Sequence, residues 1–190
     1  MVHPSRRRVV AGLLALPIAM SRVKPAAGEP AGWEALRAGA IALIRHANAP
    51  GVGDTSTMRL GDCATQRNLD ETGRVHARRI GAAFRAAGVT VGSVLSSRWC
   101  RTLETAELAF PGRVHAHAAF DSFFSTPARG DARTAEARHV LEDWRGPGAL
   151  VVVTHQVNVT ALTGVVPRSG EIVVVDMSAR GLSVVVRMEV

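Results

Sequence analysis

Two apolar segments of this chain each end in a histidine, and the first also carries an arginine at its end. Residues 40–45 read Ala-Ile-Ala-Leu-Ile-Arg before His46, and residues 149–154 read Ala-Leu-Val-Val-Val-Thr before His155. This apolar composition predicts that both segments are buried β-strands. Arg45 beside His46 places a permanent positive charge next to an imidazole, a pair that can hold an anion against a nucleophile.

A third segment adds two more arginines. Residues 94–97 are predicted to end another strand, and Arg98 and Arg101 follow where a helix is expected to begin. Such a strand-to-helix turn can present guanidinium groups and helix-terminal N–H groups to an anion. A single histidine at a strand end is usually a hydrogen-bonded structural residue, but the three segments together predict a site that handles phosphate.

Four short motifs follow one another between residues 40 and 165. They are Arg45-His46 with Pro50, residues 68–77, residues 97–106, and Thr154-His155. In residue type and order they resemble the motifs of the histidine phosphatase superfamily, the phosphoglycerate mutase-like group. The resemblance implies an α/β fold, a three-layer α/β/α sandwich with a mainly parallel central sheet, and catalysis without a metal or another cofactor.

The resemblance also implies a role for each of five residues. His46 is the expected nucleophile, whose neutral ring nitrogen attacks phosphorus and becomes a phosphohistidine. Arg45 and Arg101 are expected to bind the phosphoryl oxygens, because a guanidinium group matches their geometry with two hydrogen bonds. His155 is expected to donate a hydrogen bond to one of these oxygens in the transition state. Asp121 is the candidate general acid.

The general acid is the least defined of these roles. Many members of the superfamily carry a glutamate after the third strand, whereas Asp121 is the carboxylate that residues 118–124 offer. Asp121 is either that acid or a surface residue of the loop. Without an acid, the site would favour good leaving groups such as phosphohistidine, acyl phosphates or aryl esters. The nearby phenylalanines either line the mouth of the site or pack the loop onto the core.

Four further residues are candidates for substrate binding. Arg98 is the alternative phosphate ligand at the strand-to-helix turn, and Gln156 is expected to narrow the pocket. Asn158 either faces the site or solvates its own helix. Arg67 lies at the end of a long loop, and loops of this length inside a compact domain are usually functional or mobile.

The order of the predicted elements agrees with the fold that the resemblance implies. Strands are predicted at 40–45, 89–95, 114–118 and 150–154, and they alternate with helices predicted at 70–87, 101–110, 131–145 and 155–162. This alternation predicts a mainly parallel sheet covered on both faces. The strand at 150–154 is the most apolar and is therefore expected at the centre. Residues 171–176 and 182–187 predict a terminal hairpin.

The net charge of +7 is concentrated at the N-terminus. Five cations and no carboxylate precede residue 29, and the rest of the chain carries 18 arginines against 16 carboxylates, which leaves +2. Because arginines and acids are interspersed there, this part of the chain lacks the basic surface of a nucleic-acid-binding protein. We therefore expect no nucleic-acid partner.

Residues 1–28 have the layout of a secretory signal peptide. The basic Ser5-Arg6-Arg7-Arg8 precedes a short apolar stretch, and small residues and prolines follow. The serine and paired arginines are also similar to a twin-arginine signal. We expect a signal peptide over 1–28, a histidine phosphatase domain over 29–190, a periplasmic or otherwise extracytoplasmic location, and no stable membrane span after cleavage. The alternatives are a disordered basic tail and an uncleaved anchor.

Cys63 and Cys100 are the two cysteines of the chain. In an oxidising compartment they either form a disulfide or stay unpaired as two small apolar side chains. A bond would tie the loop after the first motif to the turn that carries Arg101. The cysteines and histidines lack the spacing of a metal site, so no metal is expected.

These features together predict a metal-independent phosphatase that hydrolyses phosphate esters or related phosphoryl groups through a phosphohistidine on His46. The expected partner is a small phosphorylated substrate. Because extracytoplasmic members of the superfamily include phosphatases of lipopolysaccharide, envelope phosphates are one substrate class that the resemblance allows. Two alternatives stay open, namely a non-catalytic module that binds phosphate or a phosphoprotein, and a phosphohistidine phosphatase.

Overall fold

A computed structural model describes Met1 and residues 29–190. The signal peptide predicted over residues 1–28, Met1 aside, lies outside the described residues. The helices are α1 (Glu29–Arg37), α2 (Glu71–Ala86), α3 (Cys100–Ala109), α4 (Gly130–Glu142) and α5 (Gln156–Thr163). The strands are β1 (Ile41–Arg45), β2 (Val91–Ser96), β3 (Val114–Ala116), β4 (Ala149–Thr154), β5 (Ile172–Ser178) and β6 (Gly181–Met188).

The six strands form one sheet in the order β3-β2-β4-β1-β5-β6. Strands β3, β2, β4 and β1 run parallel to one another, and β5 and β6 add an antiparallel hairpin beside β1. Strand β4 lies between β1 and β2, and all of its residues are buried. The predicted central strand and the predicted terminal hairpin are therefore confirmed.

Helices cover both faces of the sheet, because its inner strands are apolar on both sides. On one face, Ala42 and Ile44 of β1 belong to a core that includes Phe84 of α2 and further residues of α1 and α3. On the other face, Ile41 and Leu43 belong to a second core with residues of α4 and α5. The structure thus confirms a three-layer α/β/α sandwich with a mainly parallel central sheet.

The long loop between β1 and α2 is fixed where α2 begins. The Asp70 carboxylate accepts hydrogen bonds from the Gly73 N–H and from the Asn48 side-chain amide, both at 2.7 Å. Gly73 has no room for a side chain, since a Cβ there would lie 2.2 Å from the Asn48 carbonyl oxygen. The first turn of α2 therefore packs directly against the residues that follow His46.

The same loop is joined covalently to α3. Cys63 and Cys100 form a disulfide, so of the two states that the sequence left open the structure shows the bonded one. The Cys100 N–H also donates to the Gln66 side-chain oxygen at 2.9 Å. A cross-link between residues 37 positions apart restricts the loop, and it does so one residue before Arg101.

Within residues 29–190, no helix combines the length and the apolar character needed to cross a membrane. The same part of the chain contains no group of three or more histidine, cysteine, aspartate or glutamate side chains arranged to hold a metal ion.

Candidate active site

His46 and His155 are neighbours because β1 and β4 run parallel and in register. Arg45 pairs with Thr154, so each histidine is the first residue beyond its strand. The His46 N–H donates to the Thr154 carbonyl at 2.9 Å, and the centroids of the two imidazole rings lie 5.5 Å apart. The carboxyl ends of parallel strands are where α/β proteins place their ligand sites.

A cavity of about 210 Å³ opens at this edge of the sheet. Its charged or titratable lining residues are Arg45, His46, Asp54, Arg67, Arg101 and His155. Its other lining residues are Gly51, Val52, Gly53, Ser122, Phe124, Gln156 and Val157. The structure thus brings most of the predicted site residues to one cavity, whereas Asp121, Arg98 and Asn158 are not part of its lining.

The His46 ring has one nitrogen free to act as a nucleophile. Its Nδ1 lies 2.8 Å from the Ala47 carbonyl oxygen. Because a carbonyl oxygen can only accept a hydrogen bond, Nδ1 carries the ring proton. Nε2 therefore holds a lone pair, and the Arg101 Nε–H donates toward it at 3.3 Å.

His46 is neutral at physiological pH. Burial lowers the pKa of its imidazole to about 3, and the positive charges of Arg101, Arg45 and Arg67 act in the same direction. The hydrogen bond to Ala47 opposes this shift without reversing it. The arginines around the ring thus keep it in the unprotonated form, which is the nucleophilic one.

Arg101 is held in place by an aspartate that the sequence analysis did not single out. Its Nη1 and Nη2 donate to the two Asp54 carboxylate oxygens at 2.8 and 3.0 Å. The Arg101 and Asp54 side chains are only 3% and 9% exposed. This pairing leaves the other edge of the guanidinium, Nε and Nη2, directed at the rings of His46 and His155.

The Asp54 carboxylate also accepts two further hydrogen bonds, from the Trp99 indole N–H at 3.0 Å and from the Arg67 backbone N–H at 3.1 Å. Burial raises the pKa of the Asp54 carboxyl, but the hydrogen bonds and the charge of Arg101 outweigh it, so its pKa lies below the ordinary value. Asp54 is therefore ionised at neutral pH. In the sequence, Asp54 is marked only by its place in a glycine-containing loop directly after the first motif. That place does not distinguish it from the other polar residues of the loop.

His155 takes part in a chain of hydrogen bonds that leads away from the cavity. Its Nδ1 lies 3.4 Å from the Arg101 Nη2, and because guanidinium groups only donate, Nδ1 accepts. Nε2 then carries the proton and donates to the Ser97 hydroxyl at 2.8 Å. The Ser97 hydroxyl in turn donates to the Asp121 carboxylate at 3.4 Å. Burial, followed by the charges of the neighbouring groups, lowers the pKa of His155 well below its usual value.

The structure assigns Asp121 and Arg98 to a position behind the cavity. Arg98 donates to Asp121 Oδ2 through Nε at 2.8 Å and Nη2 at 2.5 Å, and its backbone N–H donates to Oδ1 at 3.0 Å. The Asp121 side chain is 3% exposed. The predictions of Asp121 as a general acid and Arg98 as a phosphate ligand are therefore corrected. The two side chains bind each other, and neither lines the cavity.

The remaining candidates have distinct surroundings. Arg45 Nη1 donates to the Pro167 carbonyl at 3.0 Å, and within the described residues its buried Nε has no partner. Arg67 lines the cavity, and its Nε donates to the Gly53 carbonyl at 3.0 Å. Gln156 is exposed and also lines the cavity. Asn158 is buried, and its amide donates to the Asp121 carbonyl at 3.0 Å, so it supports the loop behind the cavity.

The protonation state of His46 can be measured directly. We expect ¹⁵N NMR of the labelled protein, with His46 assigned by comparison with His46→Gln, to show a neutral ring protonated at Nδ1 from pH 8 down to about pH 5. The reason is that a pKa of about 3 places protonation far below this range. A midpoint near 6.5, as in an unstructured peptide, would contradict the burial and the cationic surroundings of His46.

The pairing of Asp54 with Arg101 predicts a large loss of stability on its removal. Asp54→Asn leaves a buried guanidinium without its counter-charge, and we expect the free energy of unfolding in urea at pH 7 to fall by about 3 to 5 kcal/mol. Asp62→Asn is the matched control, since the Asp62 pair with Arg59 is 42% and 72% exposed, and we expect a change below about 1 kcal/mol. Equal effects of the two substitutions would refute the special role of the Asp54 pair.

Comparison with known proteins identifies the fold. No protein-family model and no curated protein sequence matches the chain. Among solved structures, a protein histidine phosphatase, SixA, complexed with tungstate is 15% identical over 79% of this chain and 96% of its own, with a TM-score of 0.53. Phosphoglycerate mutase from Thermus thermophilus is 18% identical over 80% and 99%, with a TM-score of 0.55. Phosphoserine phosphatase from Entamoeba histolytica is 13% identical over 80% and 97%, with a TM-score of 0.58. The chain therefore has the phosphoglycerate mutase-like fold that the resemblance of its motifs implied.

Proposed function

We propose that this protein is a phosphatase that works without a metal ion and forms a phosphohistidine on His46. The observation that carries the proposal is the unprotonated Nε2 of a neutral His46 at a cavity lined by three arginines. The likeness of the fold to a protein histidine phosphatase with bound tungstate and to a phosphoglycerate mutase supports it.

The charge of the cavity matches that of a phosphate monoester. Arg45, Arg67 and Arg101 contribute three positive charges and Asp54 contributes one negative charge. His46 is neutral, and so is the second histidine of the lining. Two positive charges therefore remain, which is the number that a phosphate monoester dianion neutralises. Positioning and charge stabilisation are the main requirements of phosphoryl transfer, and arginines meet both.

In the first step, the lone pair of His46 Nε2 attacks phosphorus and forms a P–N bond. The P–O bond to the leaving group breaks, and the leaving oxygen departs with the bonding electrons. The attacking and leaving atoms are in line, so the leaving group lies on the side opposite His46. The unpartnered Arg45 Nε can donate to a phosphoryl oxygen. The Arg101 Nε–H, which donates to His46 Nε2 before the attack, becomes available to a phosphoryl oxygen once Nε2 binds phosphorus.

His155 can serve this step through a change of tautomer. A hydroxyl group both donates and accepts, so Ser97 can donate to His155 Nε2 instead of accepting from it. Nδ1 then carries the ring proton and can donate to a phosphoryl oxygen as charge develops there. In the second step, water attacks phosphorus, the P–N bond breaks, and inorganic phosphate leaves a neutral His46.

Hydrolysis of para-nitrophenyl phosphate in the presence of EDTA tests the proposal. We expect turnover by the purified protein and a loss of at least about 1000-fold in His46→Ala, because a methyl side chain cannot attack phosphorus. His139→Ala is the matched control, since the His139 side chain is 79% exposed and outside the cavity. We also expect acid-quenched protein to carry an acid-labile, base-stable phosphoryl group that is absent from His46→Ala.

Two outcomes would overturn the proposal. Equal rates in the unchanged protein and in His46→Ala would exclude His46 as the nucleophile. Absence of turnover in folded protein that still binds inorganic phosphate would favour the alternative of a non-catalytic phosphate-binding module.

We also propose that the protein is exported from the cytosol. The basic, apolar and small-residue order of the N-terminus supports export, and the Cys63–Cys100 disulfide suits an oxidising compartment. N-terminal sequencing of the protein from the periplasm of a bacterial host tests this location. We expect a first residue between 22 and 29, and protein that keeps Met1 and stays in the cytosol would contradict it.

A further inference from the structure

The mouth of the cavity differs in chemical character from its floor. Val52 and Phe124 line the cavity and are 87% and 53% exposed, so they stand at its opening. They belong to two different loops, and these loops meet there, since a Cβ built on Gly53 would lie 3.3 Å from the Phe124 ring. Val157, which is half-buried, adds a third apolar lining residue. A substrate leaving group that points away from His46 would pass between apolar side chains.

The positive charges of the cavity are gathered at His46. Arg45, Arg67 and Arg101 all act electrostatically on its ring, and Arg67 is further committed to carbonyl oxygens of Gly53 and Ala49. The polar lining residues that remain, Ser122 and Gln156, are neutral. Among the described lining residues, a carboxylate or second phosphate on the substrate would find no cation beyond those that hold the first phosphate.

Among the described lining residues, no carboxyl group is placed to protonate a leaving oxygen. Asp54 is the one carboxyl group among the described lining residues, and both of its oxygens accept hydrogen bonds from Arg101. Asp121 is bound to Arg98 behind the cavity. His155 donates to a phosphoryl oxygen in the proposed step, so the leaving group departs as an anion, which is efficient for a phenolate and poor for an alkoxide.

We propose that this site selects aryl phosphate monoesters with an apolar ring, with the phosphate on the arginines and the ring between Val52 and Phe124. This inference rests on the proposed phosphatase function and narrows its substrate class. Sugar phosphates and phosphoglycerate-like substrates are disfavoured by their polar or anionic remainder, and alkyl phosphates by their leaving group. Aromatic rings are suited to contact with a phenylalanine ring and an aliphatic side chain.

Comparison of four substrates with the purified full-length protein tests both parts of the proposal. 2-Naphthyl phosphate and free phosphotyrosine release phenols of similar acidity, so their difference reports the apolar mouth. We expect kcat/KM for 2-naphthyl phosphate to be at least about tenfold higher. n-Hexyl phosphate is apolar with a poor leaving group, and we expect it to inhibit but to be hydrolysed at least about 100-fold more slowly. 3-Phosphoglycerate is expected to be the poorest ligand.

Substitutions at the mouth separate binding of the ring from binding of phosphate. We expect Val52→Ser and Phe124→Ser each to lower kcat/KM for 2-naphthyl phosphate by about 3- to 20-fold and to leave the inhibition constant of inorganic phosphate unchanged. Val166→Ser is the matched control, because Val166 is 58% exposed and outside the cavity lining. Circular dichroism and urea unfolding establish that each variant is folded.

The outcomes distinguish this proposal from the proposed function. A His46-dependent activity that prefers phosphotyrosine or 3-phosphoglycerate, or that the two mouth substitutions do not change, overturns the substrate class and leaves the phosphatase intact. If n-hexyl phosphate is hydrolysed as fast as 2-naphthyl phosphate, the inference that the leaving group departs without a proton is overturned. Absence of His46-dependent hydrolysis of all four esters and of para-nitrophenyl phosphate overturns the proposed function itself.

Discussion

The buried ion pair between Arg101 and Asp54 is the interaction on which the rest of the site depends. A guanidinium group that is 3% exposed requires a partner, because an unpaired buried charge is strongly destabilising. Asp54 occupies one edge of that group and so directs the other edge at His46 and His155. Asp54 lies in a long loop, and the loop is fixed to α3 by the Cys63–Cys100 disulfide. The position of Arg101 thus depends on how the loop between β1 and α2 is held against α3.

The same positive charges have two consequences for the proposed chemistry. In the proposed reaction they would attract a phosphate dianion, and together with burial they lower the pKa of His46 to about 3, so the ring stays unprotonated. The Ala47 carbonyl then selects which nitrogen carries the ring proton. Cationic surroundings would be unfavourable for a histidine that has to act as a positive charge, and they are favourable for one that has to donate a lone pair.

A second network supports the site from behind. Ser97 links His155 to Asp121, and Asp121 is fixed by Arg98 and by the amide hydrogen bond of Asn158 to its backbone. Asp121 therefore acts through other residues, although its position in the chain suggested an acid. Because Asp121 is buried and paired with Arg98, it stabilises the start of the loop that follows. That loop places Phe124 at the mouth of the cavity.

The sequence by itself determined the layers, the mainly parallel direction of the strands and the central place of β4. It also determined that Arg45, His46 and His155 meet at one edge of the sheet, with Arg101 nearby where a helix begins. These follow from local patterns, since an apolar strand followed by a polar residue delivers that residue to the sheet edge. Only the tertiary structure decided that Asp54 pairs with Arg101, that Asp121 faces away, and that Cys63 bonds Cys100. Each of these residues in a loop, Asp54, Asp121 and Cys63, has its partner far away in the sequence. A loop carries no periodicity from which the direction of a side chain can be predicted.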